Sequence, residues 1–200
     1  MFSPNAEFFS AGILQPPYFD GEGDAAWNYG SAGAGIAHEI SHSFDELGNI
    51  YDAHGRLGLW WTREDVDKYH AASAKLVSQF DRYCPLTDLC VNGKLVLGEN
   101  IADLAGLLVA HDAYVASLKG RPDAVIDGLS GEQHFFLAFS QRWRKIQDEP
   151  TLRRQVATDH HSPGEYRSDT VRNVDGWYKA YGIAPGDKLY LKPGDRVRIW

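Results

Sequence analysis

Two histidines four residues apart, His38 and His42, flank a glutamate in "GIAHEISHSFDELGNIYD", Gly35 to Asp52. On an α-helix, positions four apart lie one above the other, so both imidazoles can aim a ring nitrogen at one ion. Glu39 is turned roughly 100° from His38, within reach of a water on that ion but badly placed to bind the ion itself. Neutral imidazole suits zinc, and two such ligands leave room for one more protein group and a reactive water. The same five-residue pattern also arises by chance on a polar helix face, so its surroundings carry the weight.

A third ligand should come from a different element, and "GENIADLAG" offers Glu99. Asp103 follows four residues later on the same helical face, and two carboxylates on an otherwise apolar helix are costly unless something positive meets them. One zinc per chain, held by His38, His42 and Glu99, with Asp103 holding the other N–H of a histidine ligand, satisfies both. Asp45, three residues after His42, can orient an imidazole in the same way.

These groups need rigid elements behind them. Small residues dominate from Trp27 to Leu47, which predicts a buried, closely packed helix ending near Gly48. Thr62 with Asp65 forms a capping arrangement ahead of Val66, Tyr69, Leu76, Val77 and Phe80 at helical spacing, an amphipathic helix. A largely apolar and therefore buried helix is expected from about Gly98 to Leu118. Another, "SGEQHFFLAFSQRWRKIQ", begins at Ser130, and one more runs around Asn173 to Ala180. "DHHSPGEYR" reads as irregular around Pro163 and Gly164. The opening "AEFFSAGILQPPYFD" reads as a short strand stopped by Pro16 and Pro17, and the tail as extended pieces around a Pro-Gly turn. The sum is one mainly helical domain with a small strand component.

Composition excludes other classes. With 44% hydrophobic and 24% charged residues, 200 residues can bury a substantial core. Twenty basic against 27 acidic residues give a net charge of −7, and no basic run follows a phosphate backbone, so nucleic acid is not an expected partner. No apolar run reaches the roughly 18 to 20 residues of a membrane span, and the N-terminus lacks the order of a signal peptide. Cys84 and Cys90 could close a short disulfide in an oxidising compartment, but two thiols do not identify a compartment.

"AGILQPPYF", "HEISHSFDELGNIYDAHG", "WWT", "GENIADLAG", "DHHSPGEYR" and the terminal Trp200 occur in an order and at spacings that resemble the C-terminal catalytic part of the neprilysin and endothelin-converting-enzyme family of zinc metallopeptidases. The resemblance implies an α+β, mainly helical, thermolysin-like zincin catalytic domain with a small N-terminal strand region. It implies zinc on His38, His42 and Glu99, Glu39 as general base and proton shuttle, and Asp45 and Asp103 as carboxylates supporting the ligands. His161 corresponds to the family's transition-state histidine, joining Glu39 and Asp103 in the catalytic set, and Arg167 to the arginine on the substrate carbonyl. A donor or cation where the oxyanion develops is worth far more than in water. Only His161 of the adjacent pair directly precedes Ser-Pro-Gly, so His160 is left without a role. His54, His70, His111 and His134 read as structural or solvated.

The family prefers an apolar side chain just after the cut bond, and Tyr18, Gly35 and Trp143 match that pocket, which Gly35 should enlarge. Trp143 can equally be a core aromatic. The expected activity is therefore zinc-dependent endopeptidase cleavage of oligopeptides through Glu-assisted attack of zinc-bound water. The alternative is a truncated, catalytically weak module that binds zinc and peptides or a partner chain. Family enzymes carry a helical domain roofing the site, absent from these residues, and an upstream Asn-Ala-aromatic segment, for which "NAEF" at Asn5 falls too near "AGIL". The usual cysteine near the end is replaced in "VRIW". A fragment or truncated product is expected on this reading. The apolar helix from Gly98 and the "FFLAF" run suggest more apolar surface than one core needs, hence a homo-oligomer or association with a missing N-terminal domain.

Overall fold

The computed structural model describes residues 6–199; Asn5 and Trp200 lie outside them. The domain is organised around one long helix. After a short helix α1 (Ala25–Asn28), a π-helical turn at Tyr29–Gly33 leads into α2 (Ala34–Ser41) and a 3₁₀ turn at His42–Phe44. Then follow α3 (Arg63–Phe80), α4 (Leu97–Leu118), a two-stranded hairpin β1 (Val125–Ile126) and β2 (Leu129–Ser130), α5 (Gly131–Gln141), α6 (Glu149–Thr158), α7 (Gly164–Ser168) and α8 (Asp175–Tyr181).

Local chemistry explains most of these boundaries. The Thr62 hydroxyl caps the Asp65 N–H while the Asp65 carboxylate accepts from the Thr62 N–H, and Ser130 and Gln133 repeat the arrangement at α5. Asp148 caps α6 ahead of Pro150, an element the apolar pattern did not announce. Asp127 and Gly128 both take positive φ between β1 and β2, as a two-residue hairpin turn requires. Cys84 and Cys90 are joined in the loop between α3 and α4.

α4 carries Ile101, Leu104, Leu107, Ala110 and Tyr114 into the core, where they meet Leu76 and Phe80 of α3 and Phe135, Phe136 and Phe139 of α5. By length and composition alone α4 could cross a membrane, but half of that window is buried inside the domain. α2 packs on α4 and the π turn lies between α4 and α5. A Cβ on Gly106 would meet the Ala34 carbonyl oxygen at 2.6 Å and the His38 nitrogen at 2.7 Å, so only glycine permits this approach.

Several expectations are corrected. The N-terminal strand does not form: residues 6–10 have no regular structure and turns follow, because no neighbouring strand offers a ladder among the described residues. The helix expected over Trp27–Leu47 is interrupted by the π turn and stops near Phe44. α5 ends at Gln141 and not near Gln147. "GEYRS" is helical, and the tail holds a 3₁₀ turn at Pro193–Asp195 in place of extended pieces. The "FFLAF" run is largely core, and α4 exposes Val109 and Val115 on the side away from it. Exposed apolar residues gather in the segment from Ile36 to Trp60, including Ile40, Leu47, Leu57 and Leu59.

Candidate metal centre and catalytic site

Glu99, Asp103 and Gly106 lie at i, i+4 and i+7 on α4 and therefore face α2 as one stripe. The close approach at Gly106 brings this stripe within hydrogen-bond reach of the histidines. Nδ1 of His38 donates to Oδ1 of Asp103 at 3.0 Å, and Nδ1 of His42 to Oδ2 of Asp45 at 2.7 Å. A carboxylate only accepts, so both Nδ1 atoms carry the proton and both Nε2 atoms are turned the other way. They converge on one group: Glu99 lies 3.4 Å from Nε2 of His38 and 3.6 Å from that of His42. The two rings are 4.8 Å apart.

His38, Glu39 and His42 also bring one ligand atom each within 4.8 Å of one another. Glu99 faces both Nε2 atoms at shorter range, while Glu39 is exposed toward the cleft. A cleft of about 540 Å³ opens over the group, lined by Glu39, His42, Asp45, Glu99, His160 and His161.

Arg167 closes the inner side. Its Nε and Nη2 bond both oxygens of Asp103, at 2.6 and 2.8 Å, and Nη2 reaches Glu99 at 3.4 Å. Its Nη1 makes no hydrogen bond among the described residues and its guanidinium lies 4.0 Å over the Trp143 ring. His161 projects from the loop after α6 with Nε2 3.1 Å from Glu99, its Nδ1 and backbone N–H both donating to Asp159. Gln155 holds that loop by donating to the His161 and Ser162 carbonyls. His160 donates to the Leu95 carbonyl.

Charge is compensated inside the cluster. Burial pushes the Asp103 carboxyl up, yet Arg167 and His38 outweigh it and hold its pKa at about 2. Burial likewise disfavours the His38 imidazolium, but Asp103 and Glu99 raise its pKa to about 9. The Asp45 hydrogen bond raises His42 against burial. Burial opposes the Glu99 and Asp45 charges too; histidine contacts, with Arg167 for Glu99 and the Leu47 and Gly48 N–H groups for Asp45, hold both below the usual range.

A family model described as Peptidase family M13 matches residues 2–197. The chain belongs to that family. A neutral endopeptidase of Lactobacillus helveticus is 37% identical across 96% of this chain, and Neprilysin-11 of Caenorhabditis elegans is 40% identical across 100%. The M13 chain spans only 28% and 24% of those two proteins. Among solved structures, the inhibitor complex of the zinc metalloprotease ZMP1 of Mycobacterium tuberculosis superposes with a TM-score of 0.93 at 46% identity, covering 95% of this chain and 30% of that one. PepO of Lactobacillus rhamnosis gives 0.82 at 36%, covering 94% and 29%.

The structure brings His38, His42, Glu99, Asp45, Asp103, His161 and Arg167 together, with Glu39 at the rim. Tyr18, Gly35 and Trp143 lie beside them, and the Tyr18 hydroxyl occupies the space that a Cβ on Gly35 would take. Sequence reasoning missed Asp159, whose signal is its place two residues before His161, and Arg142, which no spacing flagged. His111 and His134 are structural, paired with Glu132 and Asp24.

Proposed function

We propose that this chain is the catalytic part of a zinc metalloendopeptidase that hydrolyses oligopeptides, with one zinc held by His38, His42 and Glu99. The observation that carries the reading is the convergence of two Nε2 atoms on one carboxylate, while Asp103 and Asp45 hold the opposite nitrogens. Two imidazoles and a carboxylate are a zinc donor set that leaves a position open, and family membership supports zinc over other metals. Zinc bound there supplies Lewis acidity toward a carbonyl and toward water at neutral pH.

The chain's own residues do the rest. Glu39, exposed on the cleft and one residue past His38, takes a proton from the attacking water and delivers it to the leaving amine. His161, with Nδ1–H committed to Asp159, donates toward the oxyanion as it develops, and the unengaged Nη1 of Arg167 holds the substrate carbonyl. The Tyr18 and Trp143 rings support an apolar side chain just after the cut bond. Leu47, Leu57 and Leu59, 73%, 72% and 75% exposed, support association with a second copy or a further domain.

Glu39→Gln tests the assignment: cleavage of a quenched fluorescent peptide should fall by several orders of magnitude while zinc, measured by elemental analysis, stays near one per chain. Zinc lost together with activity would place Glu39 among the ligands. A wild-type chain that holds zinc and peptide without turnover would be a binding module instead.

A further inference from the structure

Arg142 lies just past the end of α5 and is folded against a wall of Tyr18, Trp143 and Gly35, one turn along α2 from the cleft-lining Glu39. Its guanidinium stacks 4.5 Å over the Trp143 ring and 5.5 Å over that of Tyr18, which fixes its plane. A Cβ on Gly35 would lie 3.3 Å from its Nη2. Gly35 and Glu39 are four apart on α2, so this guanidinium sits about 6 Å, one helical turn, along the face that carries the proposed base.

Its two neighbours show what is unusual. Trp143 carries two guanidiniums over its ring, and the other one, Arg167, has Asp103 and Glu99. Arg142 has no carboxylate within ion-pair distance among the described residues; its single hydrogen bond runs from Nη1 to the Ser31 carbonyl at 3.3 Å. Burial holds its pKa below the ordinary value, the mark of a cation taken from water without full compensation. Two further donors on this wall are unpartnered. Among the described residues the buried Trp143 indole N–H finds no acceptor and the Tyr18 hydroxyl, beside Gly35, makes no hydrogen bond. A half-buried cation with idle donors around it is costly unless an anion completes the arrangement.

We propose that Arg142 is a specificity-determining residue that receives a carboxylate of the substrate peptide beside the bond to be cut. This rests on the peptidase reading and makes the wall of Tyr18 and Trp143 an apolar surface holding one cation. Arginine suits the task because its fork matches a carboxylate bidentately, which a lysine cannot do. The carboxylate comes either from an acidic side chain or from the free C-terminus of a short peptide.

Peptides identical except for Glu, Gln or Leu after the cut bond, each with a free or an amidated C-terminus, separate these sources. With the zinc-loaded chain, the charged peptide of the decisive pair should be favoured about tenfold or more in kcat/KM over its neutral isostere. The preference should vanish in Arg142→Gln and be only partly kept in Arg142→Lys. A Glu-over-Gln difference assigns the side chain, and an acid-over-amide difference assigns the terminus. No difference in either pair with the wild-type chain, which needs no mutant to fold, overturns the proposal. Fluorescence anisotropy of the same peptides on the Glu39→Gln chain adds a readout free of turnover. If no peptide is cut at all, the peptidase reading fails, and anisotropy alone then decides: tighter binding of the charged peptide upholds the role of Arg142, and equal binding removes it.

Discussion

His42 with Asp45 and His134 with Asp24 are each joined at 2.7 Å, yet only the first pair belongs to the candidate metal centre. Around the start of α5, His134 is tied to the residue that caps α1, and His111 is tied to Glu132 while its ring stacks on Phe136. The remaining nitrogens of these two rings face no carboxylate among the described residues. Between α2 and α4 the corresponding nitrogens both face Glu99. A histidine–carboxylate pair is thus an ordinary way to place a half-buried ring. What distinguishes a metal centre is where the second nitrogen points.

The largest expected effect sharpens that contrast through zinc. Glu99→Ala or His38→Ala should reduce bound zinc from near one per chain to a small fraction by elemental analysis. His111→Ala and His134→Ala should keep zinc and lower stability by roughly 1–3 kcal/mol in a denaturant titration, the range for a charge-assisted hydrogen bond. Equal zinc loss in both sets would erase the distinction.

Supporting carboxylates come next. Asp103→Ala strands the Arg167 fork, which is 7% exposed, with only its longer contact to Glu99, and should cost about 3–5 kcal/mol. Asp45→Ala should weaken zinc about 10–100-fold in a competition with a chelating dye while the fold persists. An Asp103→Ala chain as stable as wild type would show that the buried pair compensates no charge.

The smallest effect compares two aspartates. Asp103 is held at about 2, whereas burial and then Glu165, four residues earlier, push Asp169 up to about 6. A raised carboxyl adds stability below the unfolded pKa, near 4, and loses it as pH rises through 6. Asp169→Asn should therefore raise the melting temperature at pH 7 and flatten its fall between about pH 4 and 6. An unchanged slope would mean Asp169 ionises normally.

Much of this was legible in the sequence because it rests on local rules. The i, i+4 histidines, the Glu99–Asp103 stripe and the Thr62 and Ser130 caps each follow from helical spacing or end chemistry. What stayed hidden depends on distant partners. The π turn sits where Gly30 approaches the Phe135 carbonyl, a contact no local pattern encodes among Gly, Ser and Ala. The opening apolar run has strand propensity but finds no ladder. Arg142 became visible only when α5 stopped six residues early and laid it on Trp143.

α4 joins the two regions. One rod of about 33 Å carries Glu99 and Asp103 on its first turns and the core residues Leu104, Leu107 and Tyr114 further along. Amides of the buried stretch from Ile101 to Leu107 should therefore exchange with solvent among the slowest in the domain. Release of an ion from the proposed centre and opening of the core should then be coupled, whereas the loop bearing His161, held by Gln155 and Asp159, touches that helix through Glu99 alone of the proposed metal-binding residues.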